Sequence, residues 1–233
     1  MQNLSISHLS ISYLGHSAFS LRTPGGKSVL FDPWYTGNPS FPAGHQPKVA
    51  DLILVSHGHS DHITDAAATA KQTGATVVGI FEITSWLAAK GVTRLEAMNK
   101  GGTIHTHGLR VTMTDARHSS SVDDTYLGEA AGFVVGLENG QTIYYAGDTS
   151  LFGDMKIIAE LYRPDIAFLP IGDRFTMGPD TAAVAARWLG VKQVVPMHWG
   201  TFPLLTGTPD MLKTHLAGSG IEVLDLRPGD TTE

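Results

Sequence analysis

Ser56-His57-Gly58-His59-Ser60-Asp61-His62 places three imidazoles and one carboxylate within six residues. Imidazole is the commonest protein ligand for a metal ion. Ahead of this stretch, Asp51 to Ser56 carries the unbroken apolar run Leu52-Ile53-Leu54-Val55, the pattern of a strand buried on both faces. Behind it, Asp61 to Thr73 reads as a helix with Ser60 as its N-cap and Gly74 past its end. The histidines therefore stand at a strand-to-helix turn. While the chain stays extended, His57 and His59 point the same way, and the turn brings Asp61 and His62 back towards them. Gly58 is expected to let the backbone bend where the ligands crowd. A solvated polar turn would account for Ser60 and Asp61, but not for three imidazoles, because a helix N-terminus disfavours protonated histidine. Chance would place such a pattern somewhere in a chain of this composition with a probability of about one in a thousand.

Working outward, the same edge recurs. His118 follows the strand Leu109 to Asp115. Asp148 follows Gln141 to Ala146, and His198 follows Gln193 to Pro196. In layered sheets, ligands bind beyond the C-terminal ends of strands. The remaining elements fit a repeated order. Ser5 to Tyr13, Ala18 to Leu21 and Ser28 to Phe31 are strands, and Trp34 to Pro47 is an irregular Gly- and Pro-rich loop that could be a pocket lid or part of an interface. Thr76 to Phe81 is a strand and Thr84 to Lys90 a helix. Thr103 to His107 precedes the His118 strand, and Ala131 to Leu137 pairs with Gln141 to Ala146 across Asn139-Gly140. Helices at Met155 to Tyr162, Thr181 to Leu189 and Pro209 to Ala217 alternate with strands at Ile166 to Pro170, Gln193 to Pro196 and Ile221 to Leu226. Hairpins followed by strand–helix alternation, twice over, suit an α/β chain in which two mixed sheets pack face to face with helices outside both. No linker divides residues 1–233, so one domain is expected.

Composition narrows the chemistry. The 233 residues are 42% hydrophobic and carry a formal charge of −6, without a cluster of Lys and Arg, so no nucleic-acid partner is expected. There is no cysteine, which excludes thiolate metal sites and cysteine nucleophiles. The first basic side chain is Arg22, so no signal peptide is read. No apolar run approaches the roughly 18 residues of a membrane helix. A cytoplasmic protein acting on a small molecule, away from membranes and with homo-oligomerisation open, is the expectation.

With these residues in view, the chain resembles the metallo-β-lactamase superfamily, whose ligand order is His-X-His-X-Asp-His followed by a distant His, Asp and His. It looks closer still to a group of metal-dependent hydrolases related to the ascorbate-6-phosphate lactonases. Met98-Asn99-Lys100-Gly101-Gly102, Ala146-Gly147-Asp148-Thr149, Leu169-Pro170-Ile171-Gly172-Asp173 and Pro196-Met197-His198-Trp199-Gly200-Thr201-Phe202-Pro203 resemble that group's signatures. The resemblance implies a four-layer αββα sandwich with two metal ions at one edge. It implies His57, His59 and His118 on the first ion, Asp61, His62 and His198 on the second, and Asp148 between them. Imidazole and carboxylate donors suit zinc, with manganese or iron as alternatives. Two such ions would share a water, lower its pKa to about 7 and supply hydroxide for attack on a lactone, ester or phosphodiester. Asp61 and Asp148 would orient that hydroxide.

Supporting groups are expected around the ligands. Asp32, ending a strand before Pro33, is the leading one, although Asp-Pro also forms turns. His16, Asp173 and Thr201 are further pocket candidates, as are the flanking stretches Asp173 to Thr176 and Trp199 to Thr201. His8, His45, His105, His107 and His215 read as surface or strand histidines. Three rivals compete. An iron-dependent oxidoreductase of dioxygenase type shares the ligands, whereas a di-iron flavoprotein would need a flavin domain and usually has Glu where His59 stands. A nuclease fits poorly with the acidic charge. A binding module with a dead site fits poorly with seven filled ligand positions.

Overall fold

Leu52, Ile53 and Leu54 have no exposed surface, as a strand covered on both faces should. The computed structural model describes residues 8–232; Ser5 to Ser7 of the first expected strand lie outside them. The first sheet has six strands in chain order: β1 (Ser10–Tyr13), β2 (Phe19–Arg22), β3 (Ser28–Phe31), β4 (Leu52–Leu54), β5 (Thr76–Ile80) and β6 (Leu95–Met98). It begins as an antiparallel meander and becomes parallel from β3 onward. Between these strands run α1 (Ser60–Ile63), α2 (Ala66–Thr73) and α3 (Phe81–Ala89).

The second sheet repeats the plan. Its strands are β7 (Thr103–Thr106), β8 (Leu109–Asp115), β11 (Ala131–Gly136), β12 (Thr142–Tyr145), β13 (Ile166–Pro170), β14 (Gln193–Met197) and β15 (Glu222–Val223). The small ribbon of β9 (Ser121–Val122) and β10 (Thr125–Tyr126) stands apart from it. Pairing is antiparallel from β7 through β12 and parallel from β12 to β15. The parallel part is served by α4 (Met155–Tyr162), α5 (Pro179–Leu189) and α6 (Pro209–Leu216). Small residues let α5 lie close to the sheet: Ala182, Ala183, Ala185 and Ala186 are all fully buried.

Aromatic rings join the two sheets. Phe31 of β3 stacks on Tyr145 of β12 at 4.4 Å between ring centres, and Phe19 of β2 meets Phe168 of β13 edge-on at 4.9 Å. This is the αββα sandwich of the metallo-β-lactamase fold. β1, β3 and β4 run in one direction in their sheet, and β8, β12, β13 and β14 in one direction in theirs. Their C-terminal ends carry the residues singled out above.

Several local expectations are corrected. The helix expected from Asp61 to Thr73 is two helices, broken at Thr64 and Asp65, where the Asp65 carboxylate accepts from Tyr35 N at 2.5 Å and Thr36 N at 2.8 Å. Ser60 is the first helical residue; His59 takes the N-cap position without a side-chain cap bond. Gly58 does not need unusual backbone angles. A Cβ there would meet Leu127 at 2.7 Å, so close packing is what excludes a side chain. β6 and the β9–β10 ribbon went unread, α3 starts at Phe81 rather than Thr84, and the last strand shrinks to Glu222–Val223.

Candidate metal centre

The motif turn is held between the sheets. Ala131 N of β11 donates to Ser56 O at 3.0 Å, and Gly58 N donates to Ser120 Oγ at 3.0 Å. From this turn and the loops after β8, β12 and β14, the seven expected ligands come together. One group comprises His57, His59 and His118, whose ring nitrogens lie within 4.8 Å of one another. The second comprises Asp61, His62 and His198, joined within the same limit by His16 from the loop after β1. Asp148 lies between the two. Its Oδ2 is 4.0 Å from His57 Nε2 and 3.6 Å from His118 Nε2 on one side. On the other it is 3.4 Å from His62 Nε2 and 2.9 Å from His198 Nε2.

Three buried atoms here have no hydrogen-bond partner among the described residues: Asp148 Oδ1, His62 Nε2 and His198 Nδ1. Unpartnered buried polar atoms are costly and rare in folded proteins. Their concentration among imidazoles and carboxylates fits a site built for cations. The donor set of nitrogen and oxygen, without sulfur, fits divalent ions of intermediate hardness.

Asp32 supports the cluster from below. It is fully buried at the end of β3. Its Oδ2 accepts from His62 Nδ1 at 2.8 Å, from Tyr145 OH at 2.8 Å and from Ser56 Oγ, while Oδ1 accepts from Ser56 N at 2.7 Å. With its proton spent on Asp32, Ser56 Oγ accepts from His57 Nδ1 at 3.0 Å. One carboxylate thus orients two imidazoles, His62 directly and His57 through Ser56, and leaves both Nε2 atoms facing the cluster.

His16 is fully buried and linked at both nitrogens. Nε2 lies 3.1 Å from Asp61 Oδ2, and Nδ1 lies 2.9 Å from Thr201 Oγ1. If Nε2 carries the proton to Asp61, Thr201 donates to Nδ1. Burial is the main reason that the His16 pKa falls to about 4, followed by the neighbouring His198. Burial lowers His57, His59 and His118 too. Asp148 stays well below the ordinary carboxylate range although burial opposes it, because His198 and His62 outweigh that effect. Asp61 is lowered despite burial, chiefly by His62. His62 is raised well above the ordinary value because Asp148 and Asp61 outweigh its burial.

The cluster opens into a cavity of about 290 Å³ lined by His59, Asp61, His118, Ser119, Asp148, Phe175, His198 and Phe202. Asp173 is exposed at φ 66° and does not line it; its loop contributes Phe175 instead. Thr201 acts one step back, through His16. His8, His45, His105 and His215 are exposed, and His107 is half-buried beside Thr76. Ser56 and Tyr145 were missed by sequence reasoning. Each had a faint signal: a hydroxyl next to the first ligand, and a phenol at the end of a strand, three residues before Asp148.

Comparison with known proteins settles the family. Residues 27–199 match the model of the β-lactamase superfamily domain. The chain belongs to that superfamily. A UPF0173 metal-dependent hydrolase of Roseiflexus sp. (strain RS-1) is 48% identical over 95% of this chain and 96% of its own. One from Rubrobacter xylanophilus is 50% identical over 94% of each. Igni18, described as a novel metallo hydrolase from the archaeon Ignicoccus hospitalis, superposes with a TM-score of 0.87 at 36% identity, covering 96% of this chain and 97% of that one. The protein is a metal-dependent hydrolase.

Proposed function

We propose that the protein hydrolyses a lactone, ester or phosphodiester with two divalent ions, the first held by His57, His59 and His118 and the second by Asp61, His62 and His198, with Asp148 between them. The observation that carries this reading is the position of Asp148. Its Oδ2 faces imidazoles of both groups, and its Oδ1 is buried without a partner among the described residues. Bound there, zinc, or manganese or iron in its place, would polarise the substrate oxygen and lower the pKa of a bound water.

The chain's own contribution is preorganisation. Asp32 and Ser56 fix His57 and His62, so the cluster does not have to reorganise as charge develops. His16 holds Asp61, whose half-buried carboxylate faces the cavity and orients the attacking water. Ser119 Oγ, 3.3 Å from His59 Nε2, occupies that nitrogen and leaves Nδ1 towards His57 and His118.

Metal analysis of purified protein should find close to two ions per chain. His59→Ala and Asp148→Ala should each lower that number, and unchanged content in both would remove the assignment. A panel of lactone, ester, thioester and phosphodiester substrates, run with zinc and with manganese, then identifies the bond that is cleaved.

A further inference from the structure

Phe175 is 52% exposed and Phe202 is 37% exposed. They come from separate loops, one after β13 and one after β14, yet both line the cavity above the cluster. Large apolar side chains left in solvent oppose solubility, and their convergence on one mouth marks a binding surface. The wall continues inward. Phe202 lies 6.0 Å from the ring of the buried Trp34 and 5.7 Å from that of His16. Trp34 is itself fixed, its indole N–H donating to Thr36 O at 2.8 Å.

The charged groups in the lining are all part of the cluster. Among the described residues, no Lys or Arg lines the cavity. Arg174 neighbours Phe175, with its guanidinium carbon 5.8 Å from the ring centre, but it does not reach the lining. Sites that select a phosphate or a free carboxylate on the substrate usually present Arg or Lys to it. Here the second half of the substrate meets ring faces.

We propose that the substrate is an uncharged carboxylic ester or lactone whose acyl part carries an alkyl or aromatic group, seated between Phe175 and Phe202. This rests on the hydrolase reading above and selects its ester and lactone branch. One water adds across the cleaved acyl C–O bond: an ester gives a carboxylic acid, which ionises, and an alcohol, and a lactone opens to a single hydroxy acid, which ionises likewise. The aromatic walls hold the apolar group and keep bulk water from the carbonyl.

The test uses zinc-loaded protein, a ladder of methyl esters from acetate to octanoate and a ladder of γ-lactones from γ-butyrolactone to γ-octalactone, with bis(4-nitrophenyl) phosphate as the anionic competitor. The expected result is that kcat/KM rises by about fourfold per methylene until the cavity is filled. Phe175→Ala and Phe202→Ala should each flatten that slope to about twofold or less. A separate readout is calorimetric binding of straight-chain carboxylates, the acid products, to the same loaded protein. Affinity that climbs with chain length and flattens in both variants supports the apolar seat even if no ester is cleaved, in which case the hydrolytic reading alone falls. A flat ladder in both measurements, or preference for the anionic phosphodiester over every ester, overturns the proposal.

Discussion

Asp32 ends β3 with both carboxylate oxygens inside the protein, and what touches them is a set of donors: Ser56 N and Oγ, His62 Nδ1 and Tyr145 OH. Asp32→Asn keeps the shape but presents an amide nitrogen or leaves a donor facing a donor. An unsatisfied buried donor costs about 1–3 kcal/mol, and removing an outer partner of a metal-bound imidazole weakens metal affinity about 10–100-fold. Both losses are expected, measured by urea unfolding of the metal-free variant and by zinc titration against a chelator. Tyr145→Phe should be milder, near 1 kcal/mol for one hydrogen bond, because Ser56 and His62 still bind the carboxylate. An Asn variant that binds zinc as tightly as the parent would show that Asp32 does not hold the imidazoles in place. At this scale, the legibility of the sequence was uneven. The seven cluster residues could be read because their types are rare and sit at strand ends. Ser56 and Tyr145 could not, because a hydroxyl gains its role only from the carboxylate that the fold brings beside it.

The elements position the cluster by ending where they do, and three ends carry strain. His16, Asp32 and His198 all have positive φ, at 59°, 41° and 55°, in a region that non-glycine residues occupy at a cost of order 1–3 kcal/mol. The His198 loop also depends on a close approach. A Cβ on Gly172, just after β13, would meet His198 O at 2.1 Å, so two adjacent strand ends can converge only if residue 172 has no side chain. Gly172→Ala should push the two loops apart, lowering stability by about 1–3 kcal/mol. It should also reduce zinc content, although residue 172 bears no ligand. A shift in Tm with the zinc stoichiometry unchanged would separate backbone packing from the cluster and refute the coupling. The same scale explains the elements that were misread. At the helix break, the Asp65 carboxylate is held by backbone N–H groups of Tyr35 and Thr36, some thirty residues away, and no local propensity encodes that. β6 is a short strand with Glu96 and Ala97 exposed, so it lacks the continuous apolar run that revealed β4.

For the whole molecule, burying so many titratable groups at the seam between two sheets ties stability to pH. In the metal-free protein His16 stays neutral down to about pH 4, with burial the main cause and His198 next, while histidine in an unfolded chain takes up a proton near pH 6.5. Between those values the unfolded state binds more protons, so its share of the stability is complete above about pH 6.5 and is lost as pH falls towards 4. A depression of that size corresponds to about 3 kcal/mol. His57, His59 and His118, also lowered by burial first, act with the same sign. Asp61 and Asp148 are held below the ordinary carboxylate range by the imidazoles despite burial. Their contribution is present above about pH 4 and is lost on further acidification. His62 opposes the trend. Burial would lower it, but Asp148 and Asp61 raise it, so its contribution is present below about pH 6.5 and is lost as pH rises through its folded value. Six groups against one predict that the urea midpoint of the metal-free protein drops steeply on acidification from pH 6.5. His16→Gln, which keeps a polar side chain between Asp61 and Thr201, should make the decline between pH 6.5 and 4 shallower by close to one proton. Parallel pH curves for the parent and the Gln variant would mean that His16 is not held neutral by its burial. Zinc should raise stability near neutral pH and steepen both curves on acidification, because nitrogens that hold metal in the folded state cannot take up the protons that the unfolded chain binds.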